Sequence, residues 1–450
     1  MKKKTYGKRI AAWVLAAIMA TSACPETVLL AAPVGEPQED VEALSEEGEE
    51  NIQENEEPGE ALEAEEPGKT DVEEEDSFAL EAAEGEETEP EAAPEEETVP
   101  EEENNLEPKS LEAVVLADTG LVADFSWYQA DETVFTLSSE EEMRALAEIV
   151  ANGLSDDGYG AEIDADDFAG KTILLDADMD FTGETWTPIG TQERPFAGTF
   201  DGQGHTVTYT VDGMEKSYQG LFAYNSGTLR DFTVAGSMEL SKSQYLGGAA
   251  AVNNGVIDGV DSQMDFTMDD VHVDSTTDIA NRYGCYVGGV AGLNYGTIQN
   301  ATYNGTLDAG TFIGGIAGWS FGVISDSSNS GKIIVRDLDA IYNTEKGAGG
   351  IAGVVTSRAG TEDPALIEGC VNNGEVWGYY HAGGITAFLN SGTVRNCINN
   401  GYIQACWNNG GIVGAMTDIE RSDRRPLLEN CYNTGELDQD SSTASDQGIT

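Results

Sequence analysis

Positive charge is what this 450-residue sequence has least of: 22 Lys and Arg stand against 83 Asp and Glu, for a formal net charge of -61. A surface of that sign repels phosphate backbones, which excludes nucleic acid as a partner. Histidine is almost absent, and none of the three, His205, His272 and His381, lies near a Ser or Cys elbow of the kind a nucleophilic triad needs. The six cysteines form no CxxC pair. That argues against both a zinc site and a disulfide framework. Long apolar runs are missing too, and the one near the amino terminus, Ile10 to Ala20, falls short of the roughly 20 residues a membrane helix requires.

What stands at the amino terminus instead is MKKKTYGKRIAAWVLAAIMATSAC, a basic segment, a short apolar run and small residues in the order of a secretory signal. Cleavage after Ala23 or after Ala32 fits equally, and Cys24 in TSAC is an alternative lipid attachment site, with Thr21 where a lipobox carries a larger aliphatic residue. The expectation is a secreted, extracellular chain with no transmembrane segment after signal removal, either released or held at the cell surface by a cell-wall or lipid tether. From Glu36 to Pro108 the text turns to NIQENEEPGEALEAEEPGKTDVEEED and its like, with Lys69 the only base. Carboxylates that repel one another, with few large apolar residues among them, predict a disordered acidic linker.

Beyond the arm the pattern changes. Glycine doublets recur in YLGGAAAVNNGVIDG from Tyr245, YVGGVAGLNYGTIQN from Tyr286, FIGGIAGWSFGVISD from Phe312, GAGGIAGVV from Gly347, HAGGITAFLNSGTVRN from His381 and NNGGIVGAM from Asn408. A second block follows from the Tyr286 unit onward: NATYNGTL from Asn300, DSSNSGKI from Asp326, GCVNNGEV from Gly369, NCINNGYI from Asn396 and NCYNTGEL from Asn430. The closest doublets lie about 26 or 27 residues apart, the period of a solenoid whose units stack because none can bury its apolar face alone. Glycine and asparagine leave only short apolar pieces between corners, so each coil should hold about three short strands paired in parallel with the next coil. Ala301, Ser327, Cys370, Cys397 and Cys431 share one row and are small enough for a narrow interior, while Asn304, Asn373 and Asn400 fit a corner ladder of stacked amides.

Ahead of the repeats, LSSEEEMRALAEIVANG offers Ser138 and Ser139 as caps, an apolar face of Met143, Leu146, Ala147 and Val150, and Gly153 as a stop. One helix is predicted there, as part of a cap over the open end of the solenoid. The division expected is a signal over 1–32, an acidic linker over 33–118, a cap with one helix over 119–164 and β-helix repeats over 165–450. The fold class is all-β, a parallel β-helix with a helical cap and a disordered arm.

Between cap and doublets the succession Leu175 to Asp180, Trp186 to Gly190, Phe196 to His205 and Gly220 to Phe222 resembles the GLUG-motif right-handed β-helix proteins, bacterial cell-surface proteins frequent in Gram-positive gut anaerobes. The resemblance covers most of the chain from Phe135 onward. It implies a right-handed solenoid acting in adhesion, with host or bacterial surface glycans or proteins as partners. It implies no cofactor, and no peptidase motif of the related immunoglobulin-protease chains is present.

Candidate sites are few. Asp269, Asp270, His272 and Asp274 lie together in the longest insertion and could meet a metal ion. Asp176, Asp178 and Asp180 alternate along a strand and so point to one face, where paired carboxylates could bind calcium or act as acid and base, or form a solvated strand edge. DGQGHT from Asp201 lacks the third glycine and following helix of a phosphate loop and reads as a tight turn. Calcium-roll repeats would place Asp after the glycines, whereas Leu293 and Trp319 stand there. Trp319, Trp377, Tyr379, Tyr380 and Trp407 fall near coil corners, where stacked rings could hold a sugar chain or a protein. No paired carboxylates across a groove and no basic cluster mark a polysaccharide hydrolase or lyase, which stays the alternative on fold analogy alone.

Overall fold

A computed structural model describes residues 114–116, 120–154, 162–215, 217–242, 245–268, 286–335, 346–358, 364–416 and 425–438. The signal, the acidic arm and the group Asp269, Asp270, His272 and Asp274 lie outside the described residues.

One coil shows how the sequence builds the fold. Starting at Tyr286, the chain makes strands Tyr286–Gly288, Ala291–Asn294, Thr297–Gln299, Thr302–Tyr303 and Thr306–Ala309, and returns above its starting point at Phe312. These strands belong to four sheets, here called A, B, C and, for the last two strands, D. Sheets A and B have seven strands each, C has ten and D has fourteen, and every pairing in them is parallel and runs from coil to coil. The structure is a parallel β-helix. A coil holds five short strands rather than three, because glycine and asparagine at the corners permit more bends than the period alone suggests.

The doublets stack as their spacing predicts: Gly247, Gly288, Gly314, Gly349, Gly383 and Gly410 are in register along sheet A. Their chemistry is close approach. A Cβ on Gly349 would sit 1.9 Å from the Ala352 carbonyl oxygen, and one on Gly350 would sit 2.1 Å from the Gly384 oxygen and 2.5 Å from Cγ of Asn372. Strand A therefore folds straight onto strand B, and the doublet's second glycine faces across the interior to sheet D. The corner between C and D is turned by a left-handed residue, Asn300, Asp326, Gly369, Asn396 or Asn430, with φ from 48° to 66°. Asn, Asp and Gly are the residues that tolerate that conformation.

Inside, equivalent side chains stack. Ile257, Ile298, Ile324, Ile367 and Val394 form one fully buried row on sheet C. Each contributes about 1.5–3 kcal/mol by leaving water. The small-residue row is also observed, with Ala301, Ser327, Cys370 and Cys397 buried and Cys431 half-buried.

The amide ladder lies one residue earlier than expected. Asn329, Asn372, Asn399 and Asn433 are bonded in series, Nδ2 to Oδ1, at 2.7, 2.7 and 2.6 Å, and the first three are fully buried. Of the residues expected there, Asn373 and Asn400 bond each other at 2.9 Å on the outside, while Asn304 donates to Asp261 at 2.9 Å. Strand alternation explains the shift, since only the first Asn of each Asn-Asn-Gly faces inward. A second buried amide series, Asn225, Asn253 and Asn294, runs along sheet B at 2.8 and 2.9 Å.

Helix α1, Glu140–Ala151, stands at the beginning of the coils. Ser139 accepts from the Glu142 N–H at 3.3 Å, and the Glu142 carboxylate accepts from the Ser138 N–H at 2.5 Å. Met143, Leu146, Ala147 and Val150 are buried as their spacing predicts. Arg144 ties the helix to the first coils through Glu184 at 2.9 Å and the Val122 carbonyl at 3.0 Å. Among the described residues, no helix is long and apolar enough to cross a membrane.

Candidate functional site

Side chains that point out of the coils form two aromatic groups. The first fills the furrow between sheets A and B. Tyr218, Tyr245, Tyr286 and Phe312 are stacked in line with centroids 5.0 to 5.6 Å apart, because they hold the same register position in successive coils. Trp319 rises from sheet B against Tyr286 at 5.0 Å and Phe321 at 4.7 Å, and its Nε1 donates to Thr356 Oγ1 at 3.2 Å. It is only 3% exposed. The tryptophan is thus part of a packed spine and offers no open ring face. His381 closes the same furrow, 4.4 Å from Phe388 and bonded through Nδ1 to Asn408 at 2.8 Å.

In the second group Trp407 is exposed, while Trp377, Tyr379 and Tyr380 are half-buried, Tyr379 against the main core. The group occupies the corner between sheets D and A in the coils from Glu375 to Trp407. Strand Glu375–Gly378 buries Val376 and turns Trp377 outward; Tyr379 and Tyr380 then make the corner before strand His381–Gly383. One coil on, Ile403–Ala405 leads to Cys406 and Trp407 at the same corner. Backbone bonds from Cys406 N–H to the Tyr379 carbonyl at 3.3 Å and from Asn408 N–H to the Tyr380 carbonyl at 2.9 Å hold the two corners in step. Tyr379 meets Tyr380 edge-on at 4.7 Å, and Tyr380 meets Trp407 at 5.9 Å. Trp407 is 57% exposed, an unusual position for the largest side chain.

Polar groups flank the rings. Trp377 lies 5.6 Å from Tyr402, and its Nε1 donates to Glu375 at 3.3 Å. Lys332 sits over the Trp377 ring at 5.1 Å while pairing with Glu375 at 3.4 Å. The Tyr402 hydroxyl reaches Asp438 at 3.0 Å and Gln404 at 3.2 Å. Partial burial and the carboxylates of Asp438, Glu436 and Glu375 push the Tyr402 phenol up to about 12, so it stays a neutral O–H group at ordinary pH. The row Trp377, Gln404, Asp438 is in register on the outer face of sheet D.

Four of the five aromatic residues singled out from sequence, Trp377, Tyr379, Tyr380 and Trp407, thus lie at one corner, and Trp319 lies apart. Tyr402, Gln404 and Asp438 were not foreseen. Their signal was the alternation of sheet D, which puts every second residue of YIQ and LD on the face that carries Trp377.

The acidic trio is not on one strand face. Asp176 and Asp178 sit between strands Thr172–Leu175 and Met179–Thr185, and Asp180 lies in the second of these. Asp178 accepts from the Thr206 N–H at 2.9 Å and bonds His205 at 3.1 Å, and these, the Thr206 bond foremost, hold its carboxyl below the usual range. Asp180 accepts from the Thr182 N–H at 2.9 Å. DGQGHT is a turn: Gln203 and Gly204 have φ of 50° and 84°, and Asp201 pairs with Arg230 at 2.7 Å. Among the described residues, no group of three or more His, Cys, Asp or Glu side chains is arranged to hold a metal ion.

No protein-family model and no curated protein matches this chain. Among solved structures, the crystal structure of a protein described as a "putative immunoglobulin A1 protease" from Bacteroides ovatus is similar, at 18% identity and a TM-score of 0.38, over 71% of this chain and 81% of that one. A likeness of that degree carries no argument about what this chain does.

Proposed function

We propose that the protein is a non-catalytic, exported β-helix of the GLUG type that contacts neutral glycans at the corner made by Trp377, Tyr379, Tyr380, Tyr402 and Trp407. The observation that supports this most is the exposed Trp407 ring beside Tyr380, with Gln404 and Asp438 against Tyr402 and Glu375 against Trp377 in the same coils. Aromatic faces take the C–H face of a sugar, and carboxylate and amide oxygens take its hydroxyls. A chain of net charge -61 disfavours sulfated or sialylated glycans and favours uncharged ones. The basic, apolar and small segments at the amino terminus support export, and the acidic arm supports display away from a cell surface.

Titration of the purified protein with neutral and anionic plant, microbial and mucin glycans tests the reading. Saturable binding of a neutral glycan without release of reducing ends or unsaturated products is expected. Trp407→Ala should weaken it by at least about tenfold, the equivalent of ~1.4 kcal/mol. Turnover of any glycan, or binding that Trp407→Ala leaves intact, would overturn it.

A further inference from the structure

Glycine follows asparagine at Asn152, Asn254, Asn304, Asn373, Asn400 and Asn409, and the fold treats these pairs differently. Such a pair can react with itself, because glycine carries no side chain to shield its nitrogen from the neighbouring amide. The state of that N–H decides the rate. An N–H held by an acceptor must be released before it can lose its proton, and an ordinary hydrogen bond makes that about tenfold harder.

Gly374 and Gly401 are held. Each is buried, and each donates to the ladder amide two residues back, Asn372 Oδ1 or Asn399 Oδ1, at 3.2 Å. Gly153 is buried at the end of helix α1 and donates to the Glu148 carbonyl at 3.0 Å. Asn409 is half-buried, its amide tied to the carbonyls of Ile403 at 3.2 Å and Asp438 at 2.6 Å. Two pairs stand apart. In the coil of Asn304 the ladder position is taken by Tyr303, whose hydroxyl donates to the Met264 carbonyl at 3.1 Å, so no ladder amide receives the Gly305 N–H. At the B-to-C corner the ladder amide Asn253 accepts from Asn225 instead. Neither Gly255 nor Gly305 donates its N–H to any group among the described residues; both are half-buried, and Asn254 and Asn304 are exposed.

We propose that Asn254 and Asn304 are sites of spontaneous conversion to isoaspartate and aspartate in the folded protein. The glycine nitrogen, giving its proton to solvent, attacks Cγ of the asparagine and expels ammonia, which closes a succinimide ring. Water then opens the ring at one of its two carbonyls. One water enters, one ammonia leaves, and the amide becomes a carboxylate; in the isoaspartate product the backbone gains a carbon. Asn304 must first leave Asp261, to which its Nδ2 donates at 2.9 Å, but on an exposed residue water replaces that bond at small cost. The added carbon meets a tight contact. A Cβ on Gly255 would sit 2.0 Å from the Gly227 oxygen, and one on Gly305 would sit 2.1 Å from the Met264 oxygen, so both corners rest on the preceding coil. A new carboxylate at position 304 also meets that of Asp261, and conversion therefore loosens the coils as the protein ages.

Incubation of the folded full chain at neutral to mildly basic pH, followed by peptide mapping with enzymatic methylation of isoaspartate, tests the proposal. Asn254 and Asn304 are expected to convert at least about tenfold faster than Asn152, Asn373 and Asn400, whereas in the denatured chain all five should fall within about threefold of one another. Asn254→Gln and Asn304→Gln should each erase their own signal and leave the other. Protection of Asn254 or Asn304 in the folded chain to the degree found at Asn373 and Asn400 would overturn the proposal. So would the same spread of rates in the folded and denatured chains, because the ranking would then come from the sequence and not from the fold. The wild-type maps decide the matter whether or not a variant folds.

Discussion

At the scale of single residues, the interior amides are the most sensitive positions. Asn372 accepts from Asn329, donates to Asn399 and accepts from the Gly374 N–H at 3.2 Å, and it is fully buried. Asn372→Ala would leave several buried polar groups unpartnered at about 1–3 kcal/mol each, so a loss of about 3 to 6 kcal/mol is expected in denaturant unfolding. Asn373→Ala, one residue along and exposed, should cost no more than about 0.5 kcal/mol. Equal losses at the two positions would show that the ladder does not stabilise the interior. The contrast also marks what sequence could reveal: both asparagines repeat from coil to coil, and only the pleat decides which of them is inside.

At the scale of elements, the cap has its own acid sensitivity. Lys171 is surrounded by Tyr128, Phe135 and Phe168 with its ammonium 5.4 to 5.9 Å from the three rings, and it pairs with Asp166. Burial alone would raise the Asp166 pKa, but Lys171, the Tyr128 hydroxyl at 2.7 Å and the Phe168 N–H at 2.8 Å outweigh it and lower it. A carboxyl lowered on folding adds stability above its ordinary pKa of about 3.9 and loses it as pH falls through the depressed value. Near-ultraviolet dichroism from the cap aromatics should therefore weaken below about pH 4, and Asp166→Asn should flatten that dependence. An unchanged acid limb in Asp166→Asn would contradict this.

The helix itself was plain in the sequence, because Ser139, Glu142 and the spacing of Met143, Leu146 and Val150 are local signals. The aromatic corner was legible only in part. Trp319 follows its glycine doublet and Trp407 precedes the next one, and both read as corner residues, yet the first falls in the furrow between sheets A and B and the second at the corner between D and A. That difference comes from the bend between the sheets, which the period does not encode. The acidic trio misled for a related reason: alternate spacing implies a shared face only within one strand, and the chain turns between Leu175 and Met179.

At the scale of the whole molecule, stacking makes each coil both floor and ceiling for its neighbours, and this is what carries Tyr380 to Trp407 and Trp377 to Tyr402. Everything above depends on the coils advancing one interstrand step per repeat. Thr228, Val256, Thr297, Val323, Leu366 and Thr393 hold one register position on sheet C. Spin labels at Thr228 and Thr393 should therefore lie five steps apart, about 24 Å plus the reach of the labels. A single narrow distance near that value by pulsed electron resonance is the predicted result. A broad distribution, or a sharp distance that does not scale with the number of intervening repeats when Thr393 is exchanged for Leu366, would contradict the parallel coil.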